Sequence, residues 1–471
     1  MRAWLPAGVL ILGLLSAGCL RASPPIDAQA RVPRGPDDFH GHPVIRTRRG
    51  TSPRARRFRH RVCWQPRLLL SGSRDVEIAI RVADSNAIPG DYRFDSRDSF
   101  EVIAPGTGRP MALDGVRVAR GRLRGRIRRV PKGASGFRSL VIDQTARGGR
   151  RHRFDCAFRV VDRLRLALTF DDGPVPVGDP EDGRVEGSPT GRILDVLANY
   201  RHGPGRSRRG LAAAFFVLTS PEKFMGRTHR KGETADGAVL MKRAVREGHL
   251  VEAHWGGRYR KQGYHHTSRV DGDDNGVDDD GDGRVDEDRA YDVDGDGRPD
   301  GSCALESDLL ECVARIRQVT GRRPEFVRPP EWVWRKPGRP EVSRRVAGVY
   351  RRLGLKMILT DAKLGDGGYA LVSVFSLESK MLRFSLRRAV ARGYSDIVLT
   401  MHDSNTITAN RLTAWLRRVE SILAGISLGG RRINPQVDVE FIDDGDELAA
   451  LLRAKRCFGL GALSSGRSSE H

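Results

Sequence analysis

The feature that most constrains this chain is a change of hydrophobic period near residue 164. From there short apolar runs, at 164–170, 212–218, 249–253, 325–328, 356–360, 396–401 and 437–442, alternate with segments of helical periodicity. The helical segments fall near 190–200, 235–247, 304–320, 341–354, 379–393, 409–425 and 445–455. Strands joined by helix-length crossovers pair in parallel, and a parallel sheet needs helices to cover it. Seven such units predict an α/β fold, a distorted (β/α) barrel of about seven strands, with reactive side chains at the C-terminal strand ends. The regularity also excludes wholesale disorder, although 30% of the 471 residues are charged.

Upstream, from Cys63 to about Val161, the period is two. Runs such as Val76–Val82 and Leu140–Ile142 are separated by Gly, Pro, Asp and Ser turns, which predicts a small β-sandwich-like domain over 62–162. Residues 19–61 are rich in Pro, Gly, His and Arg without periodicity and are expected to be a flexible tether. Ahead of them Arg2 precedes the apolar stretch Leu5–Leu15, which is too short to span a bilayer. Leu15-Ser16-Ala17-Gly18-Cys19 follows, and the whole resembles a bacterial lipoprotein signal, residues 1–18, cut before a Cys that carries the lipid. The resemblance implies export and a lipid anchor on Cys19 in the cell envelope, periplasmic or at the cell surface.

An exported chain meets oxidising conditions, so its six Cys invite disulfides. Cys63 with Cys156 and Cys303 with Cys312 are the pairs considered, with Cys457 left over. The net charge of +23 raises a nucleic-acid reading. It ranks low, because only ten of the 82 basic residues are Lys and the Arg are spread over the whole chain. No nucleic-acid partner is expected; attraction to anionic wall polymers or lipid surfaces is the electrostatic alternative.

Polar residues collect at the expected strand ends. Leu166–Phe170 runs into Asp171-Asp172-Gly173-Pro174, Val251-Glu252-Ala253 into His254, Val327 into Arg328-Pro329-Pro330, and Leu399-Thr400-Met401 into His402-Asp403. Two adjacent carboxylates at one mouth are costly unless a cation lies between them or one holds a proton, so a metal site beside a base is the economical explanation. Taken singly, Asp-Asp-Gly-Pro reads as a turn and a lone His as a core residue; their common position is what carries the signal.

These residues resemble the polysaccharide deacetylases with the NodB homology domain. Thr169-Phe170-Asp171-Asp172-Gly173-Pro174 reproduces that family's first motif, and the likeness covers about 163–456. The resemblance implies Asp171 as general base, Asp172 and His254 as ligands of a divalent metal, usually Zn2+, and His402 as general acid. It implies Arg328 as the positioning partner of Asp171, and Asp361 as the carboxylate that pairs with that Arg. The implied reaction is removal of N- or O-acetyl groups from a cell-surface or extracellular polysaccharide by an enzyme expected to be a monomer.

The sequence departs from the family at three places. Arg258 stands where a second metal-binding His is usual, so that ligand either comes from His265 or His266 in a displaced loop or is missing. Glu331 replaces an aromatic, with Trp332 after it in place of Gly, and Thr400 replaces a pocket Leu.

Between His254 and residue 304 lies an insertion of about fifty residues. Its part 271–301 holds fourteen acidic and three basic residues, a local charge of −11. Asp271, Asp273, Asn275; Asp278, Asp280, Asp282, Asp286; and Asp292, Asp294, Asp296, Asp300 recur with Gly at the sixth position of each run. Oxygen donors so spaced suit Ca2+. The runs resemble thrombospondin type 3 and dockerin repeats; a solvated acidic linker is the plain alternative. Residues 457–471 are expected to be a flexible tail. Two further readings stand beside the hydrolase: a degenerate glycan-binding lipoprotein, and a calcium-dependent adhesion or structural lipoprotein.

Overall fold

The computed structural model describes residues 58–65, 68–85, 99–103, 113–119, 122–130, 136–145, 151–175, 188–202, 210–219, 236–256, 265–270, 293–294, 296–335, 338–364, 366, 375–428 and 431–455. Cys19 and the rest of the leader, most of the tether, Arg258 and the tail lie outside the described residues. So do Asp271, Asp273, Asn275, Asp278, Asp280, Asp282, Asp286 and Asp292.

The first eight strands are β1 (Phe58–Gln65), β2 (Leu68–Leu70), β3 (Arg74–Ser85), β4 (Ser99–Ile103), β5 (Leu113–Ala119), β6 (Arg122–Arg129), β7 (Gly136–Thr145) and β8 (Arg151–Val161). They are hydrogen-bonded in one sheet, in the order β4-β7-β8-β1-β3-β6-β5, with β2 added against β8. Pairing is antiparallel except for β1 and β2 against β8.

The second sheet comprises β9 (Leu164–Asp171), β10 (Ala213–Leu218), β11 (Leu250–Trp255), β12 (Phe326–Val327), β13 (Lys356–Met357), β14 (Ala362–Lys363) and β15 (Asp396–His402). Its order is β13-β12-β11-β10-β9-β15-β14, every pair parallel. A hairpin, β16 (Ser427–Leu428) with β17 (Arg431–Arg432), precedes β18 (Val439–Phe441). β18 pairs with Leu164–Leu166, while β10 pairs with Leu168–Asp171. Ala212 N–H donates to the Ile442 carbonyl at 2.9 Å, so the two strands share one flank of β9. The result is a strongly curled parallel half-barrel of seven strand columns, as the period of the sequence predicts.

The helices are α1 (Pro189–Asn199), α2 (Asp236–Arg246), α3 (Ala304–Thr320), α4 (Pro340–Arg352), α5 (Phe375–Ala391), α6 (Thr406–Ala424), α7 (Pro435–Asp438) and α8 (Gly445–Ala454). Their ends are written in the sequence. Ser188 caps α1 by accepting from Gly191 N–H with Pro189 at the first helical position, Asn405 caps α6, and Asp444 accepts from Asp446 and Glu447 N–H of α8. Gly321 ends α3 in the left-handed region, at φ 72°.

Side chains alternate across a strand, and here the alternation sorts two cores. Leu166, Leu168 and Phe170 of β9, with Ala213, Phe215 and Val217 of β10, pack outward against α1 to α6. Ala167, Ala214, Phe216, Phe326 and Val398 face the other way and are covered by Leu448, Leu451 and Leu452 of α8. By the same parity Thr169 and Asp171, Glu252 and His254, Arg328, and Thr400 and His402 stand on the inner face, above the apolar layer. Glu252 completes the short β11–β12 ladder, its carboxyl accepting from Glu325 and Phe326 N–H at 2.8 Å each. Burial outweighs those bonds and pushes that carboxyl up to about 8.

Cys303 and Cys312, considered as a pair, are both free and buried. Cys303 occupies the N-cap position of α3 and Cys312 lies within the helix, and burial pushes both thiols upward, Cys312 to about 12. Among the described residues no helix is long and apolar enough to cross a membrane.

Candidate active site

β9 ends in the carboxylate that the site is built around. Asp171 is 3% exposed, and Arg328, wholly buried, donates Nη1–H to its Oδ1 at 2.6 Å. The same Nη1 reaches Thr169 Oγ1 at 2.8 Å, and Nε–H donates to the Ile358 carbonyl at 3.3 Å. The guanidinium also lies over the Phe216 ring, 4.1 Å from its centroid. Desolvation pulls the Arg328 pKa down, and Asp171 opposes it. A cation so deep holds only because the carboxylate is fixed beside it. Thr169 accepts from Arg328, donates to the Leu399 carbonyl at 3.1 Å and lies 3.0 Å from Thr400 Oγ1. Thr400, through Thr169, therefore belongs to the scaffold of the Arg328–Asp171 pair.

At Asp172 the chain turns through φ 73°, so the second carboxylate leaves the strand direction. Its Oδ1 lies 3.2 Å from His254 Nε2. His254 Nδ1–H donates to the Arg328 carbonyl at 2.6 Å, which orients the ring so that Nε2 faces Asp172. Burial lowers the His254 pKa, and the hydrogen bond to Asp172 with the Asp171 and Asp172 charges more than offsets it. Gly173 is required here: a Cβ on it would fall 1.8 Å from Asp403 Oδ2, and buried Asp403 is held by Thr190 Oγ1 at 2.9 Å.

The register sets His402 of β15 directly beside Asp171 of β9. Its Nδ1 lies 2.8 Å from Asp366 Oδ1, and its backbone N–H donates to Asp366 Oδ2 at 2.9 Å. Asp366 in turn accepts from Thr408 Oγ1–H at 2.5 Å. Burial works against a charged imidazole, yet the bond and charge of Asp366, with Asp171 and Asp172 behind it, push His402 up to about 9. Asp366 was not among the residues expected from the sequence. Its only signal in the sequence is the run Gly365-Asp366-Gly367.

Asp361 takes a different place from the one expected. It accepts from Val398 N–H at 2.8 Å and pairs with Lys455, and reaches Arg328 only as a more distant charge.

His266 also differs from the expectation of a ligand. It is wholly buried, with Nδ1 2.5 Å from the Tyr350 hydroxyl and Nε2 3.1 Å from the His254 carbonyl. A carbonyl only accepts, so Nε2 donates and Nδ1 receives the tyrosine proton, and neither nitrogen is left for a metal. Burial and the His254 and Arg269 charges hold it well below the usual imidazole range. His265 points elsewhere: its Nε2 lies 3.6 Å from Glu331 Oε2. Glu331 and Trp332 both adopt positive φ, 50° and 61°, a strained pair just beyond β12.

The donor set bears on a metal. Ligand atoms about 2.0–2.1 Å from a tetrahedral zinc lie roughly 3.3 Å apart, which the 3.2 Å between Asp172 Oδ1 and His254 Nε2 matches. These residues fit two positions of such a site. Among the described residues no group of three His, Cys, Asp or Glu is gathered about one point. In the acidic insertion, Asp300 accepts from Val293 and Asp294 N–H, Asp294 from Asp296 N–H and Asp296 from Arg298 N–H. Those three carboxylates order their own turn.

No family model matches the sequence, and no curated protein matches it. Among solved structures the chain is similar to a CE4 esterase from Streptococcus mutans, at 18% identity and a TM-score of 0.34, over 55% of this chain and 83% of that one. It is also similar to a polysaccharide deacetylase from Bacillus cereus, at 8% identity and a TM-score of 0.24, over 76% of this chain and 99% of that one.

Proposed function

We propose that the chain is a metal-dependent hydrolase that removes acetyl groups, N- or O-linked, from an extracellular or cell-surface polysaccharide. The observation that supports this best is the opposition of two braced groups across one strand end: Asp171 on Arg328, and His402 on Asp366. Asp171, kept beside a buried cation, takes a proton from water. His402, charged below about 9, gives one to the departing amine or alkoxide. Asp172 and His254 would hold the metal. Bound there, a zinc ion supplies a Lewis acid that polarises the acyl carbonyl and acidifies water.

The reading extends to export, anchoring through Cys19, and Ca2+ in the acidic insertion. Its test is acetate release from an acetylated aminosugar oligomer by the intact chain, chelated and then resupplied with zinc, beside Asp171→Asn. Zinc-restored release that is lost in the variant is the expected outcome.

The pairing of only two candidate ligands among the described residues favours one alternative, a degenerate glycan-binding protein. Retained glycan binding without acetate release from any acetylated substrate would select it.

A further inference from the structure

The solvent face of the first sheet is built from arginine. On β6, Leu123 and Ile127 are fully buried, and Val76 and Ile78 of β3 are buried on the same side. Arg124, Arg126 and Arg128 therefore stand on the opposite face. Two-residue steps along a strand separate them by about 6.7 Å each. β5 sets Arg117 directly opposite Arg124, and β3 sets Glu77 opposite Arg126. With Asp75, these side chains line a concavity of about 590 Å³.

Two details of this face point to a ligand. Like charges directly opposite one another weaken a sheet, and Arg117 against Arg124 is such a pair. Arg124 Nε is also closed off from solvent with no hydrogen-bond partner among the described residues. A buried donor left unbonded is costly, and an anion seated in the concavity relieves both defects.

We propose that this face is a binding site for an anionic glycan, one whose sugars carry carboxylates. The interleaved acids set the class. A phosphodiester backbone offers arginine only acceptors and is repelled by Asp75 and Glu77, whereas sugar hydroxyls donate to those carboxylates while uronate groups pair with the arginines. Among the described residues no aromatic lines the concavity, so they offer no stacking platform of the kind that holds single-stranded nucleic acid. The site lies apart from Asp171 in the chain and stands independently of the hydrolase reading. A chain that binds uronate through it and releases no acetate still supports it.

The test is titration of the intact chain with a labelled oligogalacturonate. A neutral chitin oligomer, a short single-stranded DNA and phosphatidylglycerol vesicles serve as comparisons. Arg124→Gln with Arg126→Gln is expected to weaken uronate binding about tenfold or more, as loss of charge-assisted bonds does. Arg383→Gln with Arg387→Gln removes the same charge from α5 and is expected to leave it unchanged. Arg117→Gln on the edge strand β5 gives a milder loss and serves where the double variant does not fold. Equal weakening in the α5 control would reduce the effect to the charge of the whole chain and overturn the proposal. So would the absence of uronate binding, or a dependence on these arginines shown by the DNA or the vesicles rather than the glycan.

Discussion

Asp171 and Asp172 are neighbours with different work, because the backbone turns between them. Asp171 keeps the strand direction and meets Arg328; Asp172, at φ 73°, meets His254. The acid side has the same logic. Asp366 binds both the ring and the backbone N–H of His402, so Asp366→Asn is expected to lower the His402 pKa and misorient its ring. As the donor must be protonated, acetate release should fall as pH rises through about 9 in the parent. In the variant that basic limb should move to lower pH, with kcat reduced roughly 10²-fold. A pH–rate profile of both proteins checks it; an unmoved limb would remove Asp366 from the mechanism. Gly173→Ala is expected to destabilise the fold by about 1–3 kcal/mol, because the added methyl must displace the buried Asp403 carboxylate. Denaturant titration measures that. Asp171, His254, Arg328 and His402 were legible because period-two strands put them on one face at the strand ends, and Asp172 because it directly follows Asp171 in the sequence motif. Asp366 and the opposed directions of His265 and His266 were not, since loop geometry decides them and no periodicity records it.

Among elements, the junction of α3 and α4 shows how a helix end is locked. Glu306, in the first turn of α3, accepts from Ser302 N–H at 2.8 Å and from Ser302 Oγ–H at 2.6 Å. It also receives Arg352, from the last turn of α4, through Nε at 2.7 Å and Nη2 at 2.8 Å. The Arg352 bond is the largest cause that draws the Glu306 carboxyl down to about 2. A depressed carboxyl stabilises the folded state above its unfolded pKa, near 4.5, and that stability is lost as pH falls from there through about 2. Since Arg352 is half exposed, solvent screening leaves roughly 1–2 kcal/mol. Glu306→Gln should therefore lower stability at neutral pH and flatten its loss between those two values; parallel slopes in urea titrations of parent and variant would contradict this. The helices and long strands here follow from apolar spacing. β14, two residues long, offers no pattern to read, and the sheet order is set by packing rather than by any single segment.

At the scale of the molecule, the sequence divides near residue 162, where the period changes, yet the structure does not divide its core there. Leu68 and Leu70 of β2, with Val161 of β8, belong to the same apolar cluster as Leu164, Leu166 and Leu168 of β9. Only Asp162 and Arg163 separate β8 from β9. Ser71 secures the joint, its N–H donating to the Val161 carbonyl at 2.9 Å and its hydroxyl to Asp162 at 2.5 Å. A boundary drawn from periodicity marks where the strands change partner; cooperativity follows shared burial, which crosses it. The first sheet and the half-barrel are accordingly expected to unfold together. Leu70 is fully buried, so Leu70→Ala should remove about 2–5 kcal/mol. That loss should shift one calorimetric transition to lower temperature, carrying the near-ultraviolet signal of the half-barrel with it. Two transitions, of which the variant moves only the first, would show that the β-rich segment melts as a separate domain and that the cluster around Leu164 holds without it.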